Sequence, residues 1–402
     1  MTNPPLVRSL CLVFLLLVVP VSAADPTVTN VRAAQKTGTK QVEIYYDMSG
    51  STSPVFVSLQ ISADGGTSFA VPASALSGAV GASISLGGNK KIIWNAGADW
   101  NNQLSNTVKF RVTASDTPPA PDGFALIPAG SFQMGDQSNP LVGYSHELPV
   151  HSVYVSGFYM GKYEVTTELW ETVRAWGLNN GYTDLPVGNG SLASKGANHP
   201  VHSINWYAMV KWCNARSQKE NLTPCYTVSG STYKIGSSAP DCNWSANGYR
   251  LPSEAEWEKA ARGGVSGKNF PWGTDTITHS QANYYSLTSY AYDVSPTQNY
   301  HPTYAVGGYP YSSPVGSFAP NGYGLYDMAG NMWEWCWDRY GSYAAGSQPD
   351  PHGAASGSYR VLRGGGWYYS AVYCRAAYRD NSNPTGTNIS RFGFRIARSS
   401  VP

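Results

Sequence analysis

From Asp122 to Pro402 the chain offers few stretches in which regular secondary structure can form. The whole chain of 402 residues contains 42 Gly and 27 Pro, and Asn and Tyr recur throughout the region from Asp122 onward. Long loops inside a compact domain are tolerated only when metal ions, disulfides or buried aromatic side chains hold them. We therefore predict an α+β domain of high loop content in this part of the chain.

Three helices are predicted in this region, each beginning at a residue that can cap a helix. Thr166 or Thr167 can cap the first, and Asn205 can cap the second. The third has the clearest boundaries, because Ser253-Glu-Ala-Glu256 is a capping box and Gly263-Gly264 supplies a stop. Short strands and loops are expected elsewhere.

The N-terminal part of the chain has a different pattern. Val55, Val57, Leu59 and Ile61 alternate with polar or outward residues, and no helical period competes with this alternation. Short strands separated by Gly, Ser and Asn turns predict an immunoglobulin-like β-sandwich over residues 25–116. A stiff Pro-rich linker follows at residues 117–121. The sandwich shows no cluster of His, Cys or paired carboxylates in its sequence, which favours a spacing or attachment role.

Residues 1–23 have the features of a secretory signal peptide. Arg8 precedes the apolar run from Leu10 to Val19, and Val21-Ser22-Ala23 is a small-residue cleavage site. The alternative is a buried N-terminal helix. The apolar run is too short to span a bilayer and no later run is longer, so no transmembrane segment is expected in the mature chain. The sequence thus predicts a secreted or periplasmic protein.

Export would place the remaining five cysteines where disulfides persist. The pairing Cys225–Cys242 is favoured because these residues flank a hairpin-like stretch, and Cys336–Cys374 is the second choice, which leaves Cys213 over. Sequence alone does not determine the connectivity.

Several motifs occur in order between residues 122 and 398. They are Phe124–Gly135, Phe158–Thr166, Gly248–Gly263, Phe270–Gly273, Asn321–Trp335, Leu362–Trp367 and Gly393–Arg395. Together they resemble the sulfatase-modifying-factor superfamily, whose best-known member is the formylglycine-generating enzyme. The resemblance implies a C-type-lectin-like fold with little regular structure. Function does not follow from the fold, because one fold carries many functions.

The resemblance bears on copper chemistry. Formylglycine-generating enzymes bind copper(I) through two cysteines near the C-terminus and oxidise a substrate cysteine with oxygen. Alignment on the glycine run places Cys374 on the second of these cysteines but Tyr369 on the first, and Gly366 where a serine is expected. A single thiolate cannot form a two-sulfur site. Copper is therefore not expected, and Cys374 is either a catalytic thiol or a disulfide or buried small residue.

Calcium is also implied by the resemblance. A structural calcium of the family is held at positions that correspond to the side chains of Asp327 and Glu334 and the carbonyls of Gly330 and Met332. Hard oxygen ligands from one tight loop suit Ca²⁺. The alternative is that Asp327 caps a turn and Glu334 is solvated.

A binding pocket is predicted in the C-terminal segment. Its candidate residues are Trp367, Tyr368, Tyr369, Tyr373 and Arg375. Tyr, Trp and Arg are typical of recognition surfaces. The segment also resembles the diversified C-terminal region of lectin-like proteins with variable ligand-binding surfaces. The alternative for these aromatic residues is ordinary core packing.

Two functions remain open at this point. The first is a calcium-stabilised ligand-binding or interaction module, and the second is a formylglycine-generating-type oxidoreductase that acts on a protein cysteine or small thiol through Cys374. A net charge of +2 provides no strong field for nucleic acid. The expected partner is therefore a protein, a peptide or a small molecule.

Overall fold

The structure is a computed structural model that describes residues 26–50, 55–116, 120–138, 142–189, 195–387 and 390–400. The predicted signal peptide and residues 117–119 of the predicted linker lie outside the described residues. The chain forms two compact units that divide between residues 118 and 119. In the part of the chain that is described, no helix is both long and apolar enough to cross a membrane.

The N-terminal unit is built from β-strands and one helical turn. Its elements are β1 (Thr27–Gln35), β2 (Gln41–Ser49), β3 (Val55–Ser62), β4 (Leu76–Gly78), β5 (Gly81–Ile84), β6 (Gly87–Asn95), α1 (Ala96–Asp99) and β7 (Lys109–Ser115). Antiparallel pairing gives one sheet in the order β1-β2-β6-β4 and another in the order β5-β3-β7.

The predicted alternation along β3 is confirmed. Val55, Val57, Leu59 and Ile61 are buried in one hydrophobic cluster with residues of β2, β6 and β7. Successive side chains of a strand point to opposite faces, so one row of apolar residues is enough to bury one face of this sheet. An N-terminal β-sheet region therefore precedes the larger unit.

The C-terminal unit combines short strands with three helices and long loops. Its elements are β8 (Phe124–Ile127), β9 (Gly130–Met134), a 3₁₀ turn (Ser145–Glu147), β10 (His151–Val155), β11 (Phe158–Gly161), α2 (Thr167–Leu178), α3 (Trp206–Lys219), β12 (Tyr226–Val228), β13 (Ser231–Thr232), β14 (Asp241–Cys242), β15 (Tyr249–Arg250), α4 (Glu254–Ala261), β16 (Trp333–Arg339), β17 (Gln348–Pro349), β18 (Arg360–Arg363), a second 3₁₀ turn (Ala371–Cys374), β19 (Arg379–Ser382), β20 (Phe392–Gly393) and β21 (Ala397–Ser399).

Two four-stranded sheets organise this unit, the first antiparallel and the second mixed. One has the order β15-β21-β11-β8, and the other has the order β19-β18-β16-β20. The second sheet joins the stretch of Asp327 and Glu334 to the glycine turn after β18, because Glu334 pairs with Arg363 across it. The loop-rich α+β architecture predicted from the sequence is confirmed.

All three predicted helix starts are confirmed. The hydroxyl of Thr166 accepts a hydrogen bond from the Leu169 amide, and the side chain of Asn205 accepts one from Ala208. Ser253 and Glu256 form the reciprocal capping box at the start of α4. Each cap satisfies an amide that the helix itself leaves without a partner.

Buried aromatic rings hold the loops together. The rings of Trp170 in α2 and Trp212 in α3 are stacked 5.7 Å apart, and Phe394 packs edge-on against both. The indole nitrogen of Trp212 donates to the Trp170 carbonyl at 3.1 Å, so its polar group is satisfied inside the core. This packing provides the support that the loop-rich sequence requires.

Both predicted disulfides are wrong, because all five described cysteines are free thiols. Cys336 and Cys374 lie in different hydrophobic clusters of the unit. In the β12–β14 ladder Cys242 is paired with Tyr226, while Cys225 bonds to Asn243. Cys225 lies just before β12, and its thiol is free although Cys242 packs against the same hydrophobic cluster.

Candidate functional site

Cys374 lies at the end of the 3₁₀ turn that follows the glycine run. Its side chain has no exposed surface and packs in a cluster with Phe270, Ile277 and Tyr284. A Cβ atom at Gly365 would lie only 2.9 Å from the Cys374 Sγ, so the turn encloses the thiol closely. Burial raises the pKa of the Cys374 thiol above its usual value. A protonated, enclosed thiol is a poor nucleophile and a poor metal ligand.

Tyr369 lies in a different environment from Cys374. Its ring packs edge-on against Trp333 at 5.5 Å and against Tyr373 at 5.3 Å. Burial raises the pKa of its phenol, which therefore stays protonated near neutral pH. No three His, Cys, Asp or Glu side chains converge as a metal-binding group anywhere among the described residues.

Trp367 and Tyr368 form an aromatic surface with a second segment of the chain. We call this surface the aromatic face and define it by Tyr300, Tyr309, Tyr311, Trp367 and Tyr368. The ring of Trp367 lies 5.3 Å from Tyr309 and 5.5 Å from Tyr311, and Tyr300 lies 6.1 Å from Tyr368. The side chain of Trp367 is buried, whereas those of Tyr309 and Tyr368 are 54% and 42% exposed.

Two cations border the aromatic face. The guanidinium of Arg391 lies over the ring of Tyr368 at 4.4 Å, and the ammonium of Lys195 lies 5.8 Å from the ring of Tyr311. Such contacts hold the charged group against the ring while leaving it able to meet a ligand. The face therefore combines flat apolar rings, phenolic hydroxyls and positive charge.

The remaining predicted pocket residues lie elsewhere. Tyr373 is half-buried against Tyr378 and Trp333. Arg375 is 1% exposed, and two nitrogens of its guanidinium donate to the carboxylate of Glu147 at 2.8 and 2.6 Å. The structure therefore places Arg375 in an internal ion pair, and Arg391 is the arginine at the aromatic face.

Sequence reasoning missed Tyr300, Tyr309 and Tyr311. The density of tyrosines between residues 284 and 311 was a signal that could have identified them. Nothing local links that segment to Trp367, however, because more than 50 residues separate the two in the chain.

The predicted calcium residues surround a buried group of carboxylates. Both oxygens of Glu334 accept hydrogen bonds from Arg395 at 2.6 Å, and one also accepts from the Trp257 indole. One oxygen of Asp327 accepts from the Gly316 amide at 2.7 Å, whereas its Oδ1 is buried without a hydrogen-bond partner. Glu164 joins this group.

Glu164 is bound to the segment that carries the two predicted calcium carbonyls, those of Gly330 and Met332. Its oxygens accept hydrogen bonds from the Asn331 side chain at 2.6 Å and from the Met332 amide at 3.0 Å. Burial, and then the charges of Asp327 and Glu334, raise the pKa of Glu164. Sequence reasoning included this residue in a family motif but gave it no role.

The charges of this group are not balanced. Glu164, Asp327 and Glu334 face the single guanidinium of Arg395. Burial raises the pKa of Asp327 to about 6. The three carboxylates do not converge as a preformed metal-binding group. A bound hard cation would nevertheless relieve the orphaned oxygen of Asp327 and the buried negative charge.

Comparison with known proteins agrees with the motifs. The family profile described as the sulfatase-modifying factor enzyme 1-like domain matches residues 109–400. A "Chaperone protein LppX" of Paenibacillus barcinonensis is 31% identical over 69% of this chain and 90% of its own length. The mouse "Formylglycine-generating enzyme" is 32% identical over 72% of this chain and 79% of its own.

A solved structure is similar as well. The "Treponema denticola variable protein 1" superposes with a TM-score of 0.51 at 33% identity, and the match covers 69% of this chain and 94% of that one. Fold and family therefore agree over the C-terminal unit. The chain belongs to the sulfatase-modifying factor family, whose members include the formylglycine-generating enzymes.

Proposed function

We propose that this protein is a ligand-binding or interaction module built on the formylglycine-generating-enzyme scaffold. One observation carries the proposal. The ring of Tyr369, which the alignment on the glycine run assigns to the position of the first copper cysteine, packs edge-on against Trp333 and Tyr373. The remaining thiol of Cys374 is enclosed and protonated. A buried phenol and an enclosed thiol do not supply the two thiolates that copper(I) requires.

The ligand of this module is proposed to bind at the aromatic face. Exposed tyrosines supply contact area at a small cost in conformational entropy, and their hydroxyls form hydrogen bonds. Arg391 and Lys195 add positive charge at the border, which favours a peptide or small molecule with an acidic group. The names of two relatives, a chaperone protein and a variable protein, are compatible with family members that are not oxidases.

We further propose that calcium stabilises the module. Asp327 and Glu334 would supply carboxylate oxygens, and Gly330 and Met332 would supply carbonyls. The orphaned Asp327 Oδ1 and the surplus of carboxylates support this assignment. Glu334 is already paired with Arg395, so Asp327 is the principal carboxylate in this proposal. The role of the ion would be to hold the loop around residues 327–332.

Export and the nature of the N-terminal unit complete the proposal. A signal peptide at residues 1–23 would deliver the protein to the periplasm or the extracellular space. Seven strands in two antiparallel sheets of four and three around one hydrophobic cluster support an immunoglobulin-like sandwich.

The binding function is tested with a displayed library of random peptides on the immobilised protein. Selected peptides are expected to lose about tenfold or more in affinity for Tyr309→Ala/Tyr368→Ala. Tyr359→Ala is the matched control, because Tyr359 is 52% exposed and is not part of the aromatic face. Peptides that bind the double variant and the wild type equally would contradict the proposal.

The oxidase function is tested by titration of the reduced protein with copper(I), with and without Cys374→Ser. We expect no tight binding that depends on Cys374, and no oxygen consumption with a cysteine-containing peptide. Tight one-to-one binding that disappears in Cys374→Ser would overturn the proposal and restore the oxidase.

A further inference from the structure

The two sheets of the N-terminal unit leave part of their common core uncovered at one end. Ile44 and Val112 are buried, whereas Val42 and Phe110, two residues earlier on the same strands and on the same faces, are only half-buried. Trp100 and Val108, in the connection between β6 and β7, are half-buried too. The apolar pattern of the core therefore continues into a region where no described side chain covers it.

These side chains line a cavity of about 620 Å³. It lies where β1 and β6 end and where β2 and β7 begin, since Gln35 pairs with Val42 and Val42 pairs with Trp94. Its volume falls within the range of sites for small organic ligands, which is roughly 300 to 1,000 Å³.

The floor of the cavity is aromatic and its geometry is fixed. The ring of Trp94 lies 6.4 Å from Trp100 and 6.3 Å from Phe110. The indole nitrogen of Trp94 donates to the carboxylate of Asp99 at 2.9 Å. Asp99 also accepts the amides of Ser74 and Ala75, so it anchors this floor and its charge is already satisfied.

The rim of the cavity is polar and carries positive charge. Gln35, Asn102, Gln103 and Ser105 supply neutral groups, and Lys40 is the one charged side chain among the described lining residues. Leu104 also lines the cavity, yet its side chain is 98% exposed. An isolated leucine in solvent beside an apolar cavity gains contacts only if something occupies that cavity.

We propose that the N-terminal unit binds a small amphipathic organic anion. Its apolar body lies against Trp94, Trp100 and Phe110, Leu104 covers it, and its anionic group pairs with Lys40. The proposal is independent of the aromatic face, which belongs to the other unit. It gives the N-terminal unit a function beyond spacing.

The experiment titrates the chain from Ala24 onward with anilinonaphthalene sulfonate, an aromatic anion whose emission increases in apolar surroundings. We expect saturable one-to-one binding together with a change in indole emission. Decanoate should displace the dye, and decyltrimethylammonium, which has the same tail and the opposite charge, should do so about tenfold less well. Equal displacement by the cation would overturn the proposed role of Lys40.

Variants separate this cavity from other apolar surfaces. Leu104→Ser and Lys40→Gln should each weaken binding about threefold to tenfold, and both side chains are exposed, so neither substitution leaves a gap in the core. Val31→Ser is the control, because Val31 is an exposed apolar residue of β1 that does not line the cavity. Wild-type affinity in both cavity variants would overturn the proposal. So would a dimer in sedimentation velocity that Leu104→Ser dissociates, because the cavity would then bind a second copy of the chain.

Discussion

Two groups of buried charges in the C-terminal unit differ in how their carboxylates are compensated. In the first, Glu258 pairs with Arg262 and Arg363, and Glu254 pairs with Arg363 and Arg379. Each carboxylate there has two guanidinium partners. In the second, the three carboxylates of Glu164, Asp327 and Glu334 face the single guanidinium of Arg395.

The difference appears in the pKa values. Burial by itself would raise the pKa of Glu258, but the guanidiniums of Arg262 and Arg363 outweigh burial and hold it below the usual value. Burial raises the pKa values of Asp327 and Glu164, and the charge of Arg395 and their hydrogen bonds do not outweigh it. In the first group the guanidiniums outweigh burial, whereas in the second group burial outweighs the single guanidinium.

The largest expected effect comes from breaking the compensated group. Arg363 has no exposed surface, pairs with two carboxylates and donates to the carbonyls of Ala376 and Tyr378. Replacement by methionine leaves Glu254 and Glu258 with one partner each inside the core. We expect Arg363→Met to lower the free energy of unfolding by about 3–5 kcal/mol, measured by urea denaturation. A loss below about 1 kcal/mol would show that the network is not structural.

In metal-free protein, the two groups should change the free energy of unfolding in opposite directions as the pH is varied. The folded pKa of Asp327 is about 6, above the value of 3.8 for a free carboxyl, so folding favours its protonated form. Its contribution to stability is therefore present at low pH and is lost as pH rises from about 4 to about 6, by about 3 kcal/mol.

Glu258 should act in the opposite direction. Its pKa is lowered in the folded state, so its contribution to stability is present above the pKa of the unfolded chain and is lost as pH falls.

Comparison of the wild type with Asp327→Asn isolates the contribution of Asp327 to stability. If the wild type and this variant have the same pH profile without metal, the assignment of an uncompensated Asp327 is wrong.

Removal of calcium should affect only the second group. At a calcium concentration about 100 times the dissociation constant, binding adds about 2.7 kcal/mol to the stability of the folded state. A chelator should therefore lower the melting temperature of the wild type but not that of Asp327→Asn. An unchanged melting temperature of the wild type would contradict the calcium proposal.

The smallest effect is expected at an exposed ion pair. Lys268 and Asp275 lie 2.6 Å apart, but their side chains are 41% and 49% exposed. Solvent screens such a pair, so Lys268→Ala should change the free energy of unfolding by less than about 1 kcal/mol. A loss as large as that of Arg363→Met would mean that burial does not distinguish these ion pairs.

Much of the fold could be predicted from the sequence because its signals are local. The caps of Thr166, Asn205 and Ser253 act within one helical turn, and the apolar alternation of β3 spans only eight residues. The family motifs also placed Asp327 and Glu334 in one short stretch, in which Glu334 belongs to β16 and Asp327 to the loop before it. The disulfide predictions failed because cysteine spacing does not determine which thiols meet in the geometry that a disulfide needs.

The sequence by itself determined the two-part organisation, the helix starts and the family. The tertiary structure decided which distant side chains meet: Tyr309 with Trp367, Glu164 with Asp327, and Arg375 with Glu147 rather than with a ligand. The physical reason is the range of the interactions. Capping and alternation depend on residues a few positions apart, whereas burial, charge compensation and aromatic packing depend on chain segments that only folding brings together.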